Sequence, residues 1–270
     1  MKILIVGDIV GSPGRTAFAR IAGRMRHAGE VDFVVANAEN AAGGRGVTAA
    51  LAQELLGAGA DVLTLGDHAW DQKDLAGHLE KEDRVLRPAN FAPGCPGKGW
   101  ITATTDKGSV TVINLVGRVF MQPHYDCPFR TVDEILKKGA ALGKIVLVDI
   151  HAEATSEKIA MGWYLDGRVS AVVGSHTHVQ TSDETVLPKG EAYITDLGMT
   201  GPKRSVLGRD VDSVLHRFLT GLPTPFGVAT EDVVLEGVVV TVDEKTGKAT
   251  RIKRVRESID NSRSQDAQSD

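Results

Sequence analysis

Short runs of β-branched and aliphatic residues recur along the chain, each closed by Gly, Asp, Asn or His and followed by a segment with helical spacing. KILIVGD (2–8) predicts a buried strand. The segment after Pro13 predicts a helix, with Ser12 as its cap and Pro13 in its first turn. DFVVANAEN (32–40) predicts the next strand, and GVTAALAQELLGAGA (46–60) an amphipathic helix closed by glycines. DVLTLGDH (61–68) predicts a third strand, followed by a helix over 71–80. This β-α-β-α-β order predicts parallel strands joined by right-handed crossovers.

The pattern changes at RPANFAPGCPGKGW (87–100), whose prolines and glycines mark a loop. WITATTDKGSVTVINLVG (100–117) predicts a hairpin turning at Asp106, Lys107 and Gly108. A helix near 130–141, the strand KIVLVDIHAE (144–153), a helix near 156–164 and the strands SAVVGSHTH (170–178) and EAYITDLG (191–198) follow. DVVLEGVVVTVDEKTGKATRIKRVRE (232–257) predicts a closing hairpin with its turn at 245–247. Two β-rich halves with helices outside predict an α/β fold of two packed sheets between helices, a four-layer α/β/β/α sandwich. No repeat of fixed period and no linker interrupts 1–257, so one domain is expected there. The polar stretch 258–270 is expected to be a disordered tail.

Composition narrows the function classes. Of 270 residues, 42% are apolar and 24% charged, as in ordinary globular chains, and the net charge of −4 offers no basic face for a long nucleic acid. A small phosphate ester remains compatible, because a pair of metal ions brings its own positive charge. Cys95 and Cys127 form no C-x-x-C pair, which argues against a structural zinc site or disulfide framework and fits a reducing cytosol. The apolar run at the N-terminus ends at Gly7 and Asp8, too early for a secretory leader. No stretch approaches the roughly 20 apolar residues that span a bilayer. A cytoplasmic protein without a membrane partner is therefore expected.

The candidate chemistry sits at the predicted strand ends: Asp8, Glu39 with Asn40, Asp67 with His68, His151, and His176 with His178. In open α/β sheets the carboxyl ends of strands line the ligand crevice, so residues distant in sequence can converge there. Taken singly, each has a structural reading: a strand-end Asp caps a turn, a lone His satisfies a core, an H-T-H triplet lies in a loop. Their coincidence at five strand ends is what points to a site. In an extended segment His176 and His178 would leave the same face. Carboxylate, amide and imidazole donors without thiolate suit Mn, Fe or Zn. The glycines at 7, 11 and 14 do not spell a dinucleotide fingerprint, and neither a P-loop nor a G-x-S-x-G elbow is present.

Asp8, GDH at 66–68, His151 and GSHTH at 174–178 resemble the metal-binding pattern of calcineurin-like metallophosphoesterases. The longer strings GDIVGSPGR, NAENAAGGRG, RPANF, DIHAEATSEK, GSHTHVQT and ITDLGMTGP resemble the YmdB-like branch, from Met1 to about Val255. The resemblance implies two divalent ions. Asp8, Glu39, Asn40 and His178 would hold one; Glu39, Asp67, His151 and His176 would hold the other, with Glu39 bridging. Three departures stand out: Val10 replaces the first motif's His, Glu39 replaces the bridging Asp, and Asp67 replaces the branch's Asn. The branch fills the first gap with Asn40, and the extra anion at Asp67 should hold the metals more firmly. The mechanism expected of such a pair is attack of a bridging hydroxide on phosphorus, with His68, beside a ligand, as the general acid.

The resemblance further implies small phosphodiester or nucleotide substrates, particularly 2′,3′-cyclic nucleotides, with Fe or Mn as the metals and homo-oligomers. A broader phosphodiesterase or phosphatase, and a regulatory phosphate binder with little turnover, are the alternatives. Arg15, Arg45, Arg87 and Asn90 are candidate substrate contacts, because arginine suits bidentate phosphate binding and all four flank the motifs. Trp70 and Trp163 could stack on a base or simply pack. Asp149, in parity with His151, is a candidate supporting partner for that ligand.

Overall fold

The computed structural model describes residues 1–259. The expected tail lies outside the described residues from position 260, and Ser258 still belongs to the last strand. In chain order the elements are β1 (Lys2–Val6), β2 (Asp8–Ile9), α1 (Gly11–His27), β3 (Phe33–Asn37), α2 (Ala49–Gly57), β4 (Val62–Thr64), α3 (Leu75–Leu79) and β5 (Val85–Leu86). Then come β6 (Trp100–Thr105), β7 (Gly108–Val116), α4 (Pro128–Leu136), a 3-10 turn at Gly139–Ala141, β8 (Ile145–His151) and α5 (Thr155–Leu165). The chain continues through β9 (Ala171–Ser175), β10 (Thr185–Val186), β11 (Ala192–Ile194), β12 (Met199–Pro202), α6 (Val211–Thr220), β13 (Val233–Val242) and β14 (Ala249–Ser258).

One sheet runs β2-β12-β13-β1-β3-β4-β5, with β14 on the outer edge of β13; the other runs β10-β11-β9-β8-β7-β6. β1, β3, β4 and β5 are parallel neighbours, as the β-α-β spacing predicts, and so are β7, β8, β9 and β11. The hairpin of β6 and β7 pairs Thr105 with Gly108 and leaves Asp106 and Lys107 at its tip.

Period-two alternation sorts the side chains into three cores. Ile3, Ile5, Phe33 and Val35 face Val110, Val112, Leu147 and Val173 between the sheets. Leu4, Val6, Val34 and Ala36 pack on the other side against Phe18, Ile21 and Leu55 of α1 and α2. Ile113, Val148 and Val172 pack outward against Val132, Met161 and Leu165 of α4 and α5. The result is the expected four-layer α/β/β/α sandwich.

Several boundaries depart from expectation for local reasons. Helix α1 starts at Gly11, and its cap position is Val10 rather than Ser12, with no side chain capping it. The N–H of Gly11 is instead satisfied by the carbonyl of Asn40. The helix expected over 71–80 is confined to α3, because the residues before it are engaged elsewhere. Asp71 pairs with Arg45 and His68, and Asp74 accepts the Ala49 N–H at the start of α2. Helix α6 and strands β5, β10 and β12 are additions to the sequence-based map. Most of α6's apolar side chains face outward: Leu215, Phe218 and Leu219 are exposed and only Val214 is buried.

Candidate metal centre

The carboxyl ends of the parallel strands from both sheets meet at one edge of the sandwich. Asp8 opens β2, Glu39 and Asn40 follow β3, Asp67 and His68 follow β4, His151 closes β8, and His176 and His178 follow β9. All eight expected residues are brought together there. Glu39, Asp67, His151 and His176 each offer a donor atom within 4.8 Å of the others, a cluster that could hold a metal ion. His151 Nε2 lies 2.8 Å from Glu39 Oε1, 3.2 Å from Asp67 Oδ1 and 2.9 Å from His176 Nδ1. Beside it, Asn40 Nδ2 lies 3.3 Å from Asp8 Oδ1 and 3.2 Å from His178 Nε2. Glu39 reaches both groups, since its Oε1 is also 3.5 Å from Asn40 Nδ2.

The backbone is shaped for this approach. A Cβ on Gly66 would lie 2.1 Å from Glu39 Oε2 and 2.4 Å from His151 Nε2, so only glycine lets strand β4 end here. The H-T-H segment is not extended. Strand β9 stops at Ser175, and His176 and His178 take φ of 98° and 64°. That conformation is costly for non-glycine residues and persists where the surroundings over-determine it. Here the His176 N–H donates to Asp8 Oδ2, 3.1 Å away. Between the two histidines, Thr177 donates from N and Oγ1 to the buried Asp196, which Lys158 meets at 2.7 Å. The two rings therefore serve different groups rather than sharing one face.

A relay behind His151 sets its tautomer. Ser175 Oγ donates to Asp149 Oδ1 at 2.7 Å, so its oxygen accepts the Nδ1 proton of His151 at 3.0 Å. Thr64 donates to the other oxygen of Asp149 at 2.6 Å. Nε2 is thereby left to face the carboxylates. Asp149 supports His151 through Ser175, a residue the strand-parity reading passed over although it lies within GSHTH.

Burial raises Asp8 to about 6, against the pull of His178 and His151. Burial also opposes ionisation of Glu39 and Asp67, but contact with His151 outweighs it and lowers both. Burial disfavours the His151 cation, yet Glu39, Asp67 and Asp8 together hold its pKa well above the usual value. Burial and the charge of His151 push His176 down to about 4. His151 takes a proton where converging carboxylates lack positive charge. A divalent cation compensates the same deficit, so the donor set fits a metal.

Arg15 pairs with Glu54 at 3.0 Å and donates to the Ala41 carbonyl, and Arg45 pairs with Asp71. Arg87 spends its guanidinium on the carbonyls of Pro88, Cys95 and Pro96. Asn90 is buried and ties Val116 to Asp126. None of the four lines the cavity over the cluster, whereas Gly44, Glu153, Leu207 and Arg209 do. Trp70 tilts against Phe91, and Trp163 is exposed on α5.

The pattern of the family described as "YmdB-like protein" matches residues 4–255. The chain belongs to the YmdB-like family. It is 46% identical over 255 residues to a 2′,3′-cyclic-nucleotide 2′-phosphodiesterase of Bacillus subtilis (strain 168), covering 94% of this chain and 96% of that protein. The fold of this YmdB-like chain is similar to the crystal structure of a hypothetical protein from Thermus thermophilus. The TM-score is 0.90 at 42% identity, over 96% of this chain and 99% of that one. It is also similar to a novel phosphatase from Mycoplasma pneumoniae, with a TM-score of 0.89 at 33% identity over 96% and 93% of the two chains. The sandwich of this YmdB-like chain is of the metallophosphoesterase type.

Proposed function

We infer that this phosphoric ester hydrolase is a dinuclear-metal phosphodiesterase acting on small phosphodiesters, with 2′,3′-cyclic nucleotides as its substrate class. The observation that carries this reading is the convergence of Glu39, Asp67, His151 and His176 within 4.8 Å at the edge shared by both sheets. The B. subtilis relative's activity supports the choice of substrate. Asp8, Glu39, Asn40 and His178 would hold one cation, and Glu39, Asp67, His151 and His176 the other, with Glu39 common to both. Iron and manganese suit this oxygen and imidazole set, and zinc is compatible. When bound, the cations would supply positive charge for the phosphoryl oxygens and an acidified water for attack.

The rest falls to the chain. His68 lines the cavity, and its Nδ1 lies 3.1 Å from Asp71 Oδ2, which Arg45 holds in turn. That contact orients the ring and leaves Nε2 to protonate the leaving alkoxide. General acid assistance is worth about 10²–10⁴-fold. His68→Ala is expected to slow hydrolysis of an alkyl phosphodiester by a factor in that range while metal content stays unchanged. Full turnover in the variant would remove His68 from the mechanism.

A cytoplasmic homo-oligomer completes the reading. No described helix is long and apolar enough to cross a membrane, and the exposed apolar stripe of α6 suits self-association. The deciding experiment is elemental analysis of the purified protein, with turnover of 2′,3′-cyclic AMP measured before and after chelation and on return of Mn²⁺. Metal-dependent turnover is expected. Hydrolysis of p-nitrophenyl phosphate but of no cyclic nucleotide would make it a phosphatase instead.

A further inference from the structure

Arg209 is a cation at the mouth of the metal cavity without a carboxylate partner among the described residues. It sits between Leu207, whose carbonyl faces His178 Nδ1 at 3.2 Å, and Asp210, which caps α6. Its Nη1 donates to the carbonyl of Gly43 at 2.9 Å and approaches that of Phe226 at 3.5 Å, and its Nη2 donates to the carbonyl of Gly44. These bonds fix the guanidinium plane without neutralising it. The Nε–H and the second Nη2 proton have no protein partner among the described residues. Burial and the nearby charge of Arg45 both act to lower its pKa, and arginine remains a cation regardless.

The turn beneath it is made for this placement. A Cβ on Gly44, at φ of +85°, would lie 2.5 Å from Nη1 and 2.6 Å from Cζ of Arg209. The glycine therefore admits the guanidinium against the 43–44 turn. The same cavity wall carries Asn40, His68 and His178. Two carboxylates share that cavity, and both are engaged: Glu153 by His176 Nε2 at 3.2 Å and Glu39 by His151 Nε2 at 2.8 Å. The two free N–H groups of Arg209 lie on one edge of a planar fork, the arrangement that matches two oxygens of a phosphate.

We propose that Arg209 is the anion clamp of this site, receiving two non-bridging oxygens of the substrate's phosphoryl group on its Nε and Nη2 edge. The inference rests on the phosphoesterase reading for its ligand, and its calorimetric readout is independent of turnover. The probe is inorganic phosphate, titrated calorimetrically into metal-loaded protein and used as a competitive inhibitor of 2′,3′-cyclic AMP hydrolysis. Arg209→Met is expected to weaken phosphate binding and raise KM by about 10–100-fold, with metal content unchanged. That range is what loss of charge-assisted hydrogen bonds gives. Arg209→Lys keeps the charge but loses the fork, and should fall between the two.

Phosphate affinity within twofold of wild type in metal-replete Arg209→Met would overturn the proposal. If Arg209→Met loses metal or does not fold, Arg209→Lys decides: weakened phosphate binding with full metal supports the clamp, and unchanged binding overturns it. Wild-type protein that binds phosphate through Arg209 but leaves 2′,3′-cyclic AMP intact would keep the clamp and remove the substrate assignment.

Discussion

Glu39→Ala should leave a folded protein that has lost both its metal and its turnover. Glu39 touches both donor groups, with Oε1 at 2.8 Å from His151 and 3.5 Å from Asn40, and Oε2 accepting the His68 N–H at 3.4 Å. Loss of an outer-shell partner alone typically costs about 10–100-fold in metal affinity or activity. Removal of a shared direct donor should therefore cost more than about 10³-fold in turnover. The fold should survive, because removing the carboxylate also removes the main reason for His151 to carry a proton. The neutral imidazole can remain buried on Ser175. Elemental analysis, a circular dichroism melt and a turnover assay on one preparation check all three parts. A Glu39→Ala protein that keeps its metal and its rate would show that the chemistry lies elsewhere.

Glu191→Met should stabilise the protein, and increasingly so as pH rises. Glu191 lies just before β11 at a buried position, and neither carboxylate oxygen has a hydrogen-bond partner among the described residues. Burial, reinforced by Asp166, raises its pKa from 4.5 to about 9. The folded chain thus keeps a proton that the unfolded chain releases near pH 4.5, and stability falls as pH climbs from there toward 9. At 1.36 kcal/mol per pH unit, the loss is about 3 kcal/mol by pH 7. Methionine fills similar space without titrating. The variant should melt roughly 6–10 °C higher at pH 7 and differ little at pH 5. A melting difference independent of pH would show that the carboxyl of Glu191 is not what titrates.

Much of the architecture is legible before the structure is seen, because period-two runs and glycine-closed helices are local signals. The strands KILIV, FVVAN and IVLVDIH need no tertiary information to be recognised. Strand β12, by contrast, is the sequence MTGP, and only its pairing with β2 and β13 makes it a strand. Helix α6 carried a readable signal in Asp210 at its start, Gly221 in the left-handed conformation at its end, and the apolar spacing of Val211, Val214, Leu215 and Phe218.

Convergence at the site is legible for the same reason as the sheet: parallel strands send their carboxyl ends to one edge. Side-chain direction beyond the strand ends is not. The left-handed turns at His176 and His178 depend on Asp8, 168 positions away from His176, and on Asp196, 19 positions beyond Thr177. Arg209 reaches the cavity from a loop 165 residues beyond the glycine that accommodates it. No local pattern distinguishes that arginine from Arg87, which clamps a loop instead.

The donors span positions 8 to 178 and come from both sheets. A nascent chain emerging from the ribosome holds Asp8 and Glu39 long before it holds the histidines, so early products offer only weak oxygen donors to passing cations. A cation held by this cluster would be loaded only once the two halves have closed on each other. Fragments of either half would lack part of the donor set, so metal retained through purification would be a quality mark of whole molecules.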